Sequence, residues 1–426
     1  LLPAGAGGKQ VSFVASGTLS SGQAVALNAD GTVGVISETG GLGTESVYQA
    51  GTSEQGSVAY DSANNKVVVA YNFNSQGVAV VGSISGSSIS WGTPVVFSGA
   101  SYVQYLSTVY DSVNQKIVIS YRNGANTYGT SIVGTVSGSS ISFGTPVVFH
   151  SVPPIYIGSC FATSQSAIAI AYSNQNDGNK GYHVAGTVSG TSISFGTPSL
   201  FEGASTTLFH NLVYDPVSTN VVHIYQYSAS TTYAWVWTLS GTTFSSGSYV
   251  SPGVTFERPA ATYDSTAQVI VIAGRDAADN GIGWVAVPNG ASITGGTTYL
   301  FNTGVTSSFS VVYNPQANHT VIVYEDEANS GYGTAITATV FSSTNLSFGS
   351  EFVFNSASTV NTSTAYDSSS TKVVITYRDG GNSNYGTGIT YSPLTSNNTD
   401  FIGISDAAIS DTASGSVTIK GGISTN

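Results

Sequence analysis

The sequence predicts an all-β fold, a seven-bladed β-propeller in which each blade corresponds to one sequence repeat. The main observation is a Tyr-Asp pair that returns at a nearly fixed interval, with two degenerate copies. The copies are Tyr60-Asp61, Tyr110-Asp111, Phe161-Ala162, Tyr214-Asp215, Tyr263-Asp264, Tyr313-Asn314 and Tyr366-Asp367. They are separated by 50, 51, 53, 49, 50 and 53 residues. A period near fifty, built from short apolar runs and Gly/Ser turns, is typical of propeller blades.

Composition supports this prediction. Only 8% of the 426 residues are charged, whereas 41% are hydrophobic, so many short strands can share a large core. The net charge of −12 argues against a nucleic-acid partner, because a polyanion needs a basic surface. No run approaches the roughly 18 apolar residues of a membrane span, so no membrane insertion is expected. The chain opens on Leu1-Leu2-Pro3 without a signal region, which suggests a removed leader, a fragment or a processed product.

The second repeat illustrates the predicted blade. Its four strands are 106–110, 116–121, 128–136 and 141–149, and a turn at 111–115 follows the first strand. The second strands are continuously apolar, as expected for strands covered on both faces. A Gly-Thr-Pro motif at 92–94, 144–146 and 196–198 places the fourth strand at the outer edge, because proline lacks the N–H of a central strand. The Asp after each Tyr is interpreted as a turn-stabilising residue.

The ends of the repeat array predict how the ring closes. Residues 43–48 resemble a fourth strand, since they align with residues 92–97, yet they precede any first strand. The seventh repeat lacks its own fourth strand after residues 385–391. We therefore expect the early strand to complete the last blade, which leaves no unpaired edge. The predicted domains are a propeller at 43–391 and a small β base formed by 1–42 together with 392–426.

Cys160 is the only cysteine, so no internal disulfide can form. It falls on the predicted first strand of the third blade, where a small buried hydrophobic residue is expected.

Two terminal segments resemble a known structural module. They are residues 22–33 (GQAVALNADGTV) and residues 401–410 (FIGISDAAIS). Together they resemble a small β module of tailed-bacteriophage structural proteins, especially tail-fibre and virion-surface proteins. The resemblance implies a structural virion appendage or capsid decoration whose base binds other virion proteins and can form a homo-oligomer.

The loops after the second strands and those between blades are predicted to open on one face, a common place for ligand sites. These loops combine aromatic rings with Asn, Asp and Arg side chains, a combination that suits sugars. The predicted ligand-binding residues are Tyr102, Tyr105, Arg122, Asn123, Asn126, Tyr156, Arg258, Arg275, Asp276, Glu325, Arg378 and Asp379.

Other chemistry is weakly indicated. Arg122, Arg275 and Arg378 occupy equivalent positions in separate blades, and this spread argues against a convergent clamp for an acidic sugar. No carboxylate spacing specifies the pair that a glycoside hydrolase needs. The five histidines show no metal-ligand spacing. No catalytic residue, metal or cofactor is predicted.

The sequence therefore leads to the expectation of a non-enzymatic protein on a virion surface, where the propeller recognises a receptor, for example a host-surface glycan. Two alternatives remain open. One is a secreted, extracellular, lectin-like carbohydrate-binding propeller, and the other is a glycan hydrolase with the same fold.

Overall fold

The computed structural model describes residues 9–15, 24–27, 32–35, 41–99, 102–228, 231–342, 344–392, 401–405, 409–410 and 412–419. The chain divides into two compact units. The smaller unit combines residues 1–39 with residues 394–426, and the larger unit is residues 40–393. The boundaries expected from the sequence lie within three residues of these divisions.

Three strands precede the propeller: β1 (Lys9–Val14), β2 (Ala24–Leu27) and β3 (Val33–Val35). Two short strands then begin the larger unit, β4 (Gly41–Leu42) and β5 (Ser46–Thr52). Blade 1 follows, with strands β6 (Glu54–Asp61), β7 (Lys66–Phe73), β8 (Gln76–Ser85), β9 (Ser88–Trp91) and β10 (Val95–Ser98).

Blades 2 to 4 repeat this antiparallel pattern. Blade 2 contains β11 (Gln104–Asp111), β12 (Lys116–Arg122), β13 (Gly129–Ser137), β14 (Ser140–Phe143) and β15 (Val147–His150). Blade 3 contains β16 (Pro154–Ala162), β17 (Ala167–Asn174), β18 (Lys180–Ser189), β19 (Ser192–Phe195) and β20 (Ser199–Glu202). Blade 4 contains β21 (Thr207–Asp215), β22 (Asn220–Tyr227), β23 (Thr231–Ser240) and β24 (Thr243–Val250).

Blades 5 to 7 complete the ring. Blade 5 contains β25 (Glu257–Asp264), β26 (Val269–Arg275), β27 (Gly281–Asn289), β28 (Ser292–Gly295) and β29 (Tyr299–Asn302). Blade 6 contains β30 (Thr306–Asn314), β31 (His319–Asp326), β32 (Tyr332–Ser342), β33 (Asn345–Phe348) and the start of β34 (Phe352–Asp367). Blade 7 contains the rest of β34, then β35 (Lys372–Asp379) and β36 (Tyr385–Ser392). Short 3₁₀ helices lie at Thr163–Gln165, Gln175–Asp177, Glu327–Asn329 and Gly380–Asn382.

The smaller unit contains one five-stranded sheet. Its last two strands are β37 (Phe401–Ser405) and β38 (Ser414–Ile419), and the order is β1-β38-β37-β2-β3. Strands from the two ends of the chain are therefore hydrogen-bonded neighbours. Residues 28–31 and 406–408, within the two segments that resemble the phage module, lie outside the described residues.

The continuous apolar second strands are covered on both faces. In β12, Ile117, Val118 and Ile119 are all fully buried, and in β7 the same holds for Val67, Val68 and Val69. The buried clusters also span neighbouring blades, since Val68 and Ile117 belong to one cluster. The core of the larger unit is therefore a set of apolar layers between adjacent sheets.

The fourth strand differs from the prediction in one respect. A single strand was expected at 141–149, but two short strands, β14 and β15, both pair with β13. The Gly-Thr-Pro segment lies between them, where Gly144 N donates to Val133 O at 2.9 Å. Proline has no N–H to donate, so regular pairing stops there and resumes beyond it.

The Tyr-Asp pair has a structural role in both residues. Asp111 Oδ1 accepts hydrogen bonds from Val113 N at 3.0 Å and Asn114 N at 2.9 Å, which fixes the turn after the first strand. The tyrosine reaches the corresponding turn of the preceding blade, because Tyr110 Oη accepts from Ala63 N at 3.3 Å. The same contact recurs between Tyr214 Oη and Ser164 N at 3.3 Å, whereas Phe161 of the third copy has no hydroxyl to make it.

Ring closure follows the predicted scheme. β5 pairs with β36, with Val47 opposite Thr387 and Ser46 opposite Gly388. The tyrosine contact also crosses the closure, since Tyr60 Oη accepts from Ser369 N at 3.3 Å. Strand β5, which precedes blade 1 in the sequence, therefore completes blade 7.

Neighbouring blades approach closely at the glycine of the fourth strand. A Cβ built on Gly144 would lie 1.9 Å from Thr191 O, in the turn between β18 and β19 of the next blade. A Cβ on Gly92 would lie 1.8 Å from Ser139 O in the same relation. The glycines allow backbone to pack on backbone where any side chain would force the blades apart.

We expect Gly144→Ala to destabilise the propeller by about 1–3 kcal/mol, the usual cost of overpacking, because a backbone carbonyl cannot move aside easily. The measurement is the midpoint of urea unfolding. Gly99→Ala is the matched control, since nothing lies within 4 Å of the added Cβ. Equal midpoints for the two variants would contradict this assignment.

Three buried histidines lie between blades 3 and 4. His210 Nδ1 is 3.0 Å from His223 Nε2, and His210 Nε2 is 2.9 Å from Ser173 Oγ. The ring of His183 stacks on Phe244 with centroids 4.1 Å apart. Burial lowers the pKa of His183 and of His210 to about 3. Burial, together with the neighbouring histidines, lowers the pKa of His223 well below its ordinary value.

The histidine pKa values predict acid sensitivity. The ordinary histidine pKa is 6.5 and the folded values lie far below it, so the unfolded chain binds more protons in acid. This stability contribution is complete above about pH 6.5 and declines as pH falls below it. We expect the urea midpoint to fall between about pH 7.5 and about pH 5.5, and to fall less in His183→Phe. A pH-independent midpoint in both proteins would refute the prediction.

Candidate functional site

Every blade carries a β-bulge at the same place on its innermost strand. The pairing of the first and second strands shifts register there, for example between Gln104 and Ser107. One residue of each bulge has a left-handed backbone, with φ between 50° and 58°. These seven bulge residues are Gln55, Tyr105, Tyr156, Phe209, Arg258, Ser308 and Asn361. Positive φ is uncommon in residues other than glycine and often marks a functional site.

The bulges meet around the propeller axis. All seven bulge residues line one cavity of about 370 Å³, which we call the axial cavity. Each blade thus contributes one side chain from an equivalent backbone position. A cavity of this volume falls in the range of small-molecule sites.

One side of the axial cavity is aromatic. The ring centroids of Tyr105 and Tyr156 are 5.4 Å apart, and those of Tyr156 and Phe209 are 4.6 Å apart. Arg258 continues the arc, with its Cζ 5.9 Å from the centroid of the Phe209 ring. Arg258 forms no salt bridge with any described residue. The arc therefore joins three ring surfaces to one cation that has no carboxylate partner among the described residues.

The other side of the axial cavity is polar. It is formed by Ser308, Asn361 and Gln55. Gln55 Oε1 accepts from Tyr105 N at 2.8 Å, so the amide joins the polar side to the aromatic arc. Thr362, which also lines the cavity, donates its hydroxyl to Ser308 O.

Glu325 lies next to the polar side. Its Oε2 accepts from Ser307 Oγ at 3.1 Å and Ser308 Oγ at 3.5 Å. Burial, with a smaller effect of the nearby Glu327 charge, raises the pKa of this carboxyl. A half-buried carboxyl with a raised pKa, close to a cavity, is a candidate for acid–base chemistry.

Three of the residues predicted from the sequence line the axial cavity: Tyr105, Tyr156 and Arg258. The others lie outside its lining. Tyr102 Oη donates to Glu54 Oε2 at 2.5 Å. The side chains of Asn123 and Asn126 accept from Ala125 N and Tyr128 N, so they stabilise their own loop.

The three equivalent arginines have local partners. Arg275 forms salt bridges with Glu257 at 3.1 Å and Asp279 at 2.9 Å. Arg122 Nη1 donates to Gln175 Oε1 at 3.0 Å, and Arg378 Nη1 lies 3.9 Å from Glu54 Oε1. Each of the three guanidinium groups therefore pairs with a different neighbour.

Asp276 and Asp379 stabilise loops. Asp276 Oδ1 accepts from Ala278 N at 2.8 Å and from Asn280 N at 3.0 Å. Asp379 is 5% exposed and accepts from Gly381 N at 2.9 Å. Both carboxylates satisfy turn N–H groups, as Asp does in turns generally.

Four bulge residues were not predicted from the sequence: Gln55, Phe209, Ser308 and Asn361. A usable signal exists, because every bulge residue lies five positions before the first residue of a Tyr-Asp copy. The seven residues have the period of the repeat but no common chemistry, so similarity between repeats does not reveal them.

Cys160 is buried on β16, as predicted from the sequence, and burial raises the pKa of its thiol to about 12. Among the described residues, no group of three or more His, Cys, Asp or Glu side chains is placed to hold a metal ion. The described part of the chain also contains no helix that is both long and apolar enough to cross a membrane.

No family model matches the chain, and no curated protein matches it. The chain is similar in fold to the periplasmic gluconolactonase of Pseudomonas aeruginosa, at 12% identity and a TM-score of 0.54, over 89% of this chain and 100% of that one. It also matches the SapL1 lectin bound to alpha methyl fucoside, at 12% identity and a TM-score of 0.46, over 73% and 97% of the chains. The NanB sialidase of Streptococcus pneumoniae matches at 9% identity and a TM-score of 0.45, over 84% and 71%.

These comparisons bear on two expectations. The β-propeller fold is confirmed. The expectation that the protein is not an enzyme is wrong, because a lactonase has the same fold. The repeats contain no recognisable catalytic motif, but a propeller can build a catalytic site from residues of several blades. The missing motif therefore does not exclude an enzyme.

Proposed function

We propose that the axial cavity binds carbohydrate. The observation that carries this proposal is the continuous aromatic arc of Tyr105, Tyr156 and Phe209, which faces hydroxyl and amide groups across one cavity. Aromatic faces pack against the C–H surfaces of a sugar ring, and amides and hydroxyls pair with its OH groups. Both kinds of surface are needed together, and the axial cavity supplies both.

The backbone also supports ligand recognition. The seven bulge residues are held by strand pairing on rigid sheets, so little side-chain and loop ordering is needed when a ligand binds. Arg258 adds a positive charge at the end of the arc, in a chain whose net charge is −12. The geometry suits a sugar that carries an electronegative or acidic substituent near Arg258.

We expect Tyr156→Ala to weaken glycan binding by about tenfold or more, equivalent to about 1.4 kcal/mol, because it opens a gap in the arc. The measurement is a glycan array on the purified chain, followed by calorimetric titration of the best binder. Tyr128→Ala is the matched control, since Tyr128 is 36% exposed and lies outside the cavity lining. Absence of any glycan binding, or equal loss in both variants, would refute the proposal.

Hydrolysis of the bound carbohydrate is a second candidate function. The observation that favours it is Glu325, a half-buried carboxyl whose pKa is raised by burial and which contacts Ser308 at the cavity. A carboxyl whose pKa is raised keeps its proton to higher pH, and such a group can donate a proton to a leaving group or accept one from water. The candidate step is transfer of a proton between Glu325 and the substrate or its attacking water.

We expect Glu325→Gln to abolish any release of reducing sugar while it leaves glycan affinity within about twofold, because the amide keeps the shape but cannot transfer a proton. The measurement is product release from the best-binding glycan, with mass spectrometry of the ligand. Product release that survives in the variant would exclude Glu325 from this role. A ligand that the unmodified protein leaves intact would exclude hydrolysis of that glycan.

The virion-surface or tail-fibre setting is a separate proposal. It rests on the resemblance of residues 22–33 and 401–410 to a phage structural module, and the solved structures named above are not phage proteins. In this setting the base would bind other virion proteins and the propeller would face the host. The alternative setting is extracellular. Capsid or tail genes beside the coding sequence would support the former, and an encoded leader upstream of Leu1 would support the latter.

A further inference from the structure

Blade 4 departs from the repeat. Its third strand places Trp237 opposite Val221, where blades 1, 2 and 3 have Gly82, Gly134 and Gly186. Its fourth strand, β24, also runs without the Gly-Thr-Pro interruption. Beside these strands lies a second cavity of about 220 Å³, which we call the blade-4 pocket. Its lining residues are Glu202, Tyr225, Tyr227, Tyr233, Trp235 and Tyr249.

The rings of the blade-4 pocket are inclined to one another. Tyr227 and Tyr233 have centroids 5.3 Å apart and an interplanar angle of 62°, and Tyr233 and Tyr249 have values of 5.1 Å and 77°. Trp235 and Tyr249 are 5.3 Å apart at 56°. Inclined rings present walls in several directions. The electron-rich faces of such rings attract a cation.

A carboxylate completes the pocket. One oxygen of Glu202 accepts from Ala204 N at 2.7 Å, and Glu202 forms no salt bridge with any described residue. The nearby Lys180 is paired with Asp177 at 3.0 Å. Burial raises the pKa of Tyr225, and the negative charge of the nearby Glu202 raises it further.

We propose that the blade-4 pocket binds a small quaternary ammonium group, such as that of choline. The methyl groups would pack on the walls formed by Tyr227, Tyr233, Trp235 and Tyr249, and Glu202 would balance the positive charge. This site is distinct from the axial cavity, with which it shares no lining residue. A neutral sugar would offer no positive charge to pair with the Glu202 carboxylate.

The test is calorimetric titration of the full chain with choline and with its uncharged carbon isostere, 3,3-dimethylbutan-1-ol. We expect choline to bind about tenfold more tightly, because cation–π and charge attraction are absent from the isostere. Glu202→Gln should remove most of the preference for choline over the isostere, while the amide oxygen still accepts the hydrogen bond from Ala204 N. Tyr249→Ala, at a side chain that is 57% exposed, should weaken choline binding without unfolding the blade.

Controls separate this site from the axial cavity. Tyr128→Ala and Tyr156→Ala should leave choline binding unchanged, whatever they do to glycan binding. Equal affinity for choline and its isostere would overturn the proposal, as would choline binding that survives Glu202→Gln undiminished. Binding of a methyl glycoside that Tyr249→Ala abolishes, without any choline binding, would identify a sugar site instead.

Discussion

Burial of the second strands is the constraint on which the rest of the propeller depends. A strand such as β12, apolar and buried on both faces, needs a neighbouring blade on each side. An open array would leave two end blades with an exposed apolar face. Pairing of β5 with β36 removes both ends at once. Tyr377 Oη also donates a hydrogen bond to Glu45 Oε1 at 2.8 Å across the same junction.

Closure also explains why a cavity lies at the centre of the ring. Gln55 and Asn361 are near opposite ends of the repeat array, yet they line one cavity because the ring brings the first and last blades together. The bulge on each inner strand turns one side chain toward the axis at the same level. The axial cavity is thus formed by the ring as a whole and by no single blade.

Much of the fold was predictable because it depends on repeated local chemistry. Every blade needs a stabilised first turn, a second strand that is buried on both faces and a fourth strand. The sequence shows these needs in the Tyr-Asp period, in the apolar second strands and in the displaced fourth strand at 43–48. The axial cavity was only partly predictable, because the bulge is a backbone feature that tolerates residues as different as Phe209 and Ser308. The partners of Arg275 could not be foreseen either, since Glu257 and Asp279 meet it only through strand pairing and loop shape.

The uniform bulge has a consequence for how such a surface can diversify. Its left-handed backbone is imposed by strand register, and residues as different as Phe209, Arg258 and Ser308 already occupy it. The chemistry of the cavity wall can therefore be exchanged one blade at a time while the hydrogen-bonded scaffold stays constant. The axial wall is a set of seven interchangeable positions, each of which can change without any cost to ring geometry.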